Sequence, residues 1–128
     1  MSEVKMGIVG LGNMGSGNAQ TIETKVIGAV VKAVCDTNPA RLEWSKDRFG
    51  DRVARFADYE DMLANADVDA VYIATPHYLH PPQAIRALEN GWHVLVEKPA
   101  GVYTRQVREM NEAAAKHPDR VFSMMFNQ

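Results

Sequence analysis

The chain lacks the features that hold small secreted or membrane proteins together. It has one cysteine, Cys35, so no internal disulfide can form and the fold must rest on packing. It has no apolar run approaching the ~18 residues of a membrane span. Met1-Ser2-Glu3-Val4-Lys5 carries charges where a signal peptide needs an apolar stretch. Charge of one sign is also missing: 14 Lys+Arg against 16 Asp+Glu leave a net charge of -2. Nucleic acid and anionic membrane surfaces both call for clustered Lys/Arg, so neither is expected as a main partner. The expectation is a cytoplasmic protein, neither secreted nor membrane-spanning.

What remains is an ordinary globular composition, 46% apolar and 23% charged. A chain of 128 residues reads as one domain, and it can bury about two-thirds of its unfolded surface.

Short apolar runs alternate with helical patterns along the whole length, the sequence form of repeated βαβ units. The runs are Val4–Val9, Ala29–Cys35, a weak one at Val53–Phe56, Asp69–Ala74, His93–Val96 and Val121–Phe126. Several are almost continuous in Val, Ile and Ala, which predicts strands buried on both faces of a parallel sheet. Helices are predicted at Asn13–Glu23, Pro39–Phe49, Tyr59–Ala64, Pro81–Asn90 and Thr104–Lys116. Pro81 and Pro82 suit a first turn, Gly91 suits the position past a C-cap, and Thr104 can serve as an N-cap. The fold class is α/β: a doubly wound parallel sheet of about six strands with helices on both faces.

The first run ends in Gly10-Leu11-Gly12-Asn13-Met14-Gly15, a G-x-G-x-x-G between a strand and a helix. There Gly10 makes the tight turn, Gly12 lets a pyrophosphate approach the backbone, and Gly15 lets helix pack on strand. Free N–H groups and the positive end of the helix dipole face the phosphates. Three glycines can also be no more than a turn. The second run ends in Cys35-Asp36, however, with Asp36 21 residues after Gly15, close to the roughly 20-residue spacing of a ribose-binding acid. A carboxylate there accepts from ribose hydroxyls and repels a 2′-phosphate, which favours NAD over NADP. The alternative for Asp36 is a helix cap before Pro39, and Arg41 lies near enough to blur the cofactor preference. Cys35 is read as a small buried strand residue rather than a reactive thiol.

Ligands of open parallel sheets bind beyond the C-terminal strand ends, at the switch in strand order. On that rim fall Thr75-Pro76-His77-Tyr78-Leu79-His80 and Glu97-Lys98-Pro99. Glu97 and Lys98 follow an apolar strand directly, which predicts a partly desolvated pair and a lysine able to donate to a hydroxyl or move a proton. A solvated strand end is the plainer alternative. His77, His80 and Glu97 are too loosely spaced to be read as a metal site, so none is predicted. His80 is as well suited to capping the next helix as to touching a ligand. His93 is read as structural, and Trp44 and Trp92 as packing.

Gly10-Leu11-Gly12-Asn13-Met14-Gly15, Asp36, Ala74-Thr75-Pro76 with His80, and above all Gly91-Trp92-His93-Val94-Leu95-Val96-Glu97-Lys98-Pro99 together resemble the N-terminal domain of the Gfo/Idh/MocA oxidoreductases. The resemblance covers essentially the whole chain. It implies a Rossmann domain with strand order 3-2-1-4-5-6 that binds NAD or NADP. It also implies that Thr75, Pro76 and His80 line the nicotinamide half, with His77 at a cofactor-binding position, Glu97 near the ribose and Lys98 reaching both substrate and nicotinamide. The family usually has Asn at the position of His77. Phe126-Asn127-Gln128 fits the junction from which relatives continue into a substrate domain.

The function implied is hydride transfer between a nicotinamide cofactor and a sugar, inositol or related polyol, in a homo-oligomer. These residues by themselves are expected to hold cofactor without completing turnover. A non-catalytic nucleotide-binding or regulatory module, and a ligand-free scaffold, are the alternatives. An apolar patch around Val121–Phe126, with Met124 and Met125, is expected to promote self-association.

Overall fold

A computed structural model describes residues 3–125. Eleven main elements alternate: β1 (Val4–Val9), α1 (Asn13–Lys25), β2 (Ala29–Cys35), α2 (Pro39–Phe49), β3 (Ala54–Phe56), α3 (Tyr59–Asn65), β4 (Ala70–Ile73), α4 (His80–Glu89), β5 (His93–Val96), α5 (Thr104–Lys116) and β6 (Phe122–Met124). The strands form one sheet in the order β3-β2-β1-β4-β5-β6. Every neighbouring pair is parallel. The order reverses between β1 and β4, so a crevice opens where their C-terminal ends splay apart.

The continuous apolar runs are explained by two cores. Val9, Cys35, Val71, Ile73 and Val96 face one side with residues of α3, α4 and α5. Ile8, Val34 and Tyr72, one residue out of step, face the other with Ala19 of α1 and Phe49 of α2. Successive strand residues point to opposite faces, so both must be apolar when both faces are covered. Trp92 is buried in the first core, and Trp44 packs edge-on against Phe49 at 5.7 Å. His93 is structural, its Nδ1 accepting from the Val121 N–H at 2.8 Å.

Three local expectations change. Thr104 is the first helical residue of α5, the N-cap is Tyr103, and no side chain caps that end. α4 begins one residue earlier than predicted, at His80, whose side chain does not cap it. Among the described residues the expected apolar patch at β6 is small: Phe122 and Met124 pack on the first core, Met125 on the second, and of these Val121 alone stands well out, at 64% exposure. Phe126, Asn127 and Gln128 lie outside the described residues. Among the described residues no helix is long and apolar enough to cross a membrane.

Candidate functional site

The glycine turn joins β1 to α1 at the switch point, and each of its glycines has a different neighbour. Gly10 has φ +94°, and a Cβ there would lie 2.8 Å from the Ala74 carbonyl group. A Cβ on Gly15 would sit 1.8 Å from the Gly10 carbonyl oxygen, an impossible overlap with backbone. These two glycines are therefore demanded by the fold itself. Gly12 is not: a Cβ there would meet only Arg41 Nη1, at 3.9 Å, and would project into the crevice that Gly12 lines. The space kept clear at Gly12 suits a phosphate-bearing ligand approaching the start of α1, and the turn thus fits a dinucleotide pyrophosphate.

Leu11, between them, buries its side chain in the second core and donates its N–H to Asp36 Oδ2 at 2.8 Å. Asp36 Oδ1 accepts from the Asn38 N–H at 2.8 Å. The cap of α2 is Asn38, whose side chain accepts from the Ala40 N–H, so Asp36 does not have that task. Its buried carboxylate is instead fastened at the end of β2 against the glycine turn, with lone pairs left to accept from ribose hydroxyls. Arg41 Nη1 stands 3.5 Å from Asp36 Oδ2 with its side chain half exposed, a distance consistent with a weak ion pair. Cys35 beside it is buried, and desolvation pushes its thiol up to about 12. That matches the reading of an inert strand residue.

Two hollows of about 440 Å³ and 320 Å³ lie along the strand ends, sharing Gly12, Ala74 and Thr75. The first runs past Asp36 and Arg41 to Pro76 and Tyr78. The second contains Asn13, Met14, His77, His80, Glu97 and Lys98. Of the rim residues singled out in the sequence, Thr75 to His80, Glu97 and Lys98 line these two adjoining hollows across the switch point, and Pro99 lines neither.

Their roles within it differ. His77 is exposed, its ring 5.7 Å from that of His80. His80 is fully buried, and both ring nitrogens are engaged, Nδ1 with the Pro99 carbonyl at 2.7 Å and Nε2 with the Thr75 carbonyl at 2.8 Å. It is a tie between the two loops of the rim. Thr75 donates its hydroxyl to Gln83 Oε1, and the Gln83 carbonyl accepts from the Tyr59 hydroxyl at 2.7 Å.

Glu97 and Lys98 do not form the desolvated pair read from the sequence. Glu97 is buried and accepts from the Tyr72 hydroxyl, whereas Lys98 is exposed and has no ion-pair partner among the described residues. Adjacent residues at a strand end point to opposite sides, which separates the two charges. No group of three or more His, Cys, Asp or Glu side chains could hold a metal among the described residues.

Sequence reasoning missed Asn18, Tyr59, Tyr72 and Gln83. The readable signal was Tyr72, since a hydroxyl in a strand buried on both faces needs a partner.

The comparisons with known proteins agree with this geometry. The family model described as "Oxidoreductase family, NAD-binding Rossmann fold" matches residues 4–125. An inositol 2-dehydrogenase of Salmonella paratyphi B is 31% identical over 123 residues, 96% of this chain and 37% of the relative. The structure of scyllo-inositol dehydrogenase from Lactobacillus casei with bound NAD(H) and scyllo-inositol superposes with a TM-score of 0.91 at 37% identity, covering 96% of this chain and 36% of that one. The WlbA dehydrogenase of Chromobacterium violaceum, in complex with NADH and UDP-GlcNAcA, gives 0.90 at 32% identity, covering 98% of this chain and 35% of that one. The chain therefore spans little more than a third of the length of these relatives. It belongs to the Gfo/Idh/MocA oxidoreductase family and is an NAD-binding Rossmann domain of that family.

Proposed function

We propose that the chain is the cofactor-binding part of an NAD(H)-dependent dehydrogenase that oxidises a carbinol of inositol, a sugar or a related polyol. The observation that carries this is the pairing of Asp36, held against the glycine turn by the Leu11 and Asn38 N–H groups, with the space left clear at Gly12. In this reading Gly10 to Gly15 receive the pyrophosphate and Asp36 accepts from the adenosine ribose. Thr75, Pro76, His77, His80 and Glu97 border the nicotinamide half. The nicotinamide, when bound, supplies the redox chemistry by accepting or returning a hydride.

Lys98 reaches the substrate hydroxyl, donating to it or taking its proton. Its exposure leaves the ammonium group free to meet a substrate at the mouth of the crevice. The substrate class rests on the inositol and sugar-nucleotide dehydrogenases named above. In this reading substrate contacts beyond Lys98 come from a second domain, for which relatives more than twice as long as this chain have room, and these residues alone hold cofactor without turnover. A reducing cytoplasm suits the free, buried Cys35, and association into a homo-oligomer belongs to the same reading.

The test is a calorimetric titration with NADH and separately with NADPH, repeated on Asp36→Ala. Saturable binding that prefers NADH, with the preference lost in the variant, supports the reading. Binding of neither nucleotide overturns it.

A further inference from the structure

Beneath the open end of the crevice three polar side chains from distant parts of the chain meet at the edge of the second core, to which Tyr72 belongs. Tyr72, on β4, is 1% exposed. Its hydroxyl donates to Glu97 Oε2 at 2.5 Å and accepts from Asn18 Nδ2 of α1 at 2.9 Å. Strand alternation brings them together. Val71 and Ile73 face the core under α4 and α5, so Tyr72 faces α1; Val96 faces that same first core, so Glu97 turns toward Tyr72.

A phenol placed in an apolar core is costly unless its hydroxyl is bonded, and here both its donor and an acceptor capacity are used. Burial first, and the bond to Glu97 next, hold its ionisation well above the ordinary tyrosine range, so it remains a proton donor to Glu97. Glu97 is 7% exposed and borders the hollow that also contains Lys98. On the other side of Lys98, the Pro99 carbonyl is held by His80. The segment carrying Lys98 is thus pinned at the residue before it and the residue after it, while Lys98 itself stays free.

We propose that Tyr72, steadied by Asn18, is a positioning residue that fixes the Glu97 carboxylate toward the nicotinamide ribose and keeps the Lys98 segment in register with it. This rests on the dinucleotide reading of the crevice. It assigns a function to a core tyrosine that touches neither cofactor nor substrate. Removing the hydroxyl frees the Glu97 side chain and loosens the nicotinamide half. The adenosine half, built on Asp36 and the glycine turn, is untouched.

The experiment titrates the chain, Tyr72→Phe and Asn18→Ala with NADH and with ADP, which carries only the adenosine and pyrophosphate portion. Tyr72→Phe is expected to weaken NADH about tenfold, the loss of one hydrogen bond to a charged group, and to leave ADP within about twofold. Asn18→Ala is expected to give the same selectivity at about threefold, since it loosens the phenol without removing it. An equal loss of both nucleotides, or no loss, in a folded Tyr72→Phe overturns the inference. If that variant fails to melt cooperatively, Asn18→Ala decides in the same way. An unmodified chain that binds ADP as tightly as NADH overturns this inference alone. One that binds neither overturns the dinucleotide reading, and the inference falls with it.

Discussion

The two ends of the crevice are built by different means. The end at Asp36 is made from β1, the glycine turn, α1 and β2, consecutive in the chain, and its ties are backbone N–H groups of Leu11 and Asn38. The end at Lys98 is assembled from α1, β4, α4 and the loop after β5, through side chains up to 79 positions apart (Asn18 to Glu97). A site made of backbone in a tight turn is set once the local fold forms. A site made of buried side chains depends on the packing of the whole sheet. In the function proposed above, the difference separates holding a cofactor from orienting it: the first end is a seat tied by backbone, and the second is a polar frame around one exposed amine.

The sharpest way to break this comparison lies within the glycine turn. Gly15→Ala forces a Cβ onto the Gly10 carbonyl and should cost about 3 kcal/mol or more, read as a large fall or loss of the cooperative thermal transition. Gly12→Ala meets no protein atom closer than 3.9 Å and should melt like the parent, yet bind NADH at least about tenfold more weakly. If both variants lose stability alike, the seat is a structural turn with no space reserved for ligand.

Next in size, Asp36→Ala leaves the buried Leu11 N–H and the more exposed Asn38 N–H without their acceptor, and the Leu11 donor alone should cost about 1–3 kcal/mol in urea denaturation. A smaller effect comes from Cys35, whose folded pKa of about 12 lies above its ordinary 9.0. The neutral thiol is favoured in the folded state, so its contribution to stability is complete below pH 9.0 and is lost as pH rises toward about 12. Alkaline denaturation of Cys35→Ala should accordingly be less steep through that window than that of the parent. The smallest effect is expected at the other end of the crevice. Lys98→Ala should leave both the melting midpoint and ADP affinity unchanged, because the side chain is exposed and bonds to nothing described. A clear drop in the midpoint would show that Lys98 belongs to the frame rather than standing free within it.

Much of the seat was legible in the residues. Gly10, Gly12, Gly15 and Asp36 lie at spacings that a strand, a tight turn and a helix translate directly into position, and the structure puts them side by side. The two-sided burial followed from apolar runs such as Val4–Val9 and Ala29–Cys35, while the strand order came only with the family resemblance. Less was legible at the frame. Glu97 and Lys98, adjacent in sequence, read as a pair, yet they diverge because neighbouring side chains leave a strand in opposite directions. His80 read as a cap or a ligand contact, but its ring ties Thr75 to Pro99. Tyr72, inside the Asp69–Ala74 run, drew no reading of its own.

By itself, then, the sequence determined which residues are strand, helix and glycine turn, because those depend on local backbone geometry and on a periodicity carried by near neighbours. Only the tertiary structure decided which polar side chains are held and which are free, because hydrogen-bond partners such as Asn18, Tyr72 and Glu97 become neighbours only when three separate elements pack on one face of the sheet.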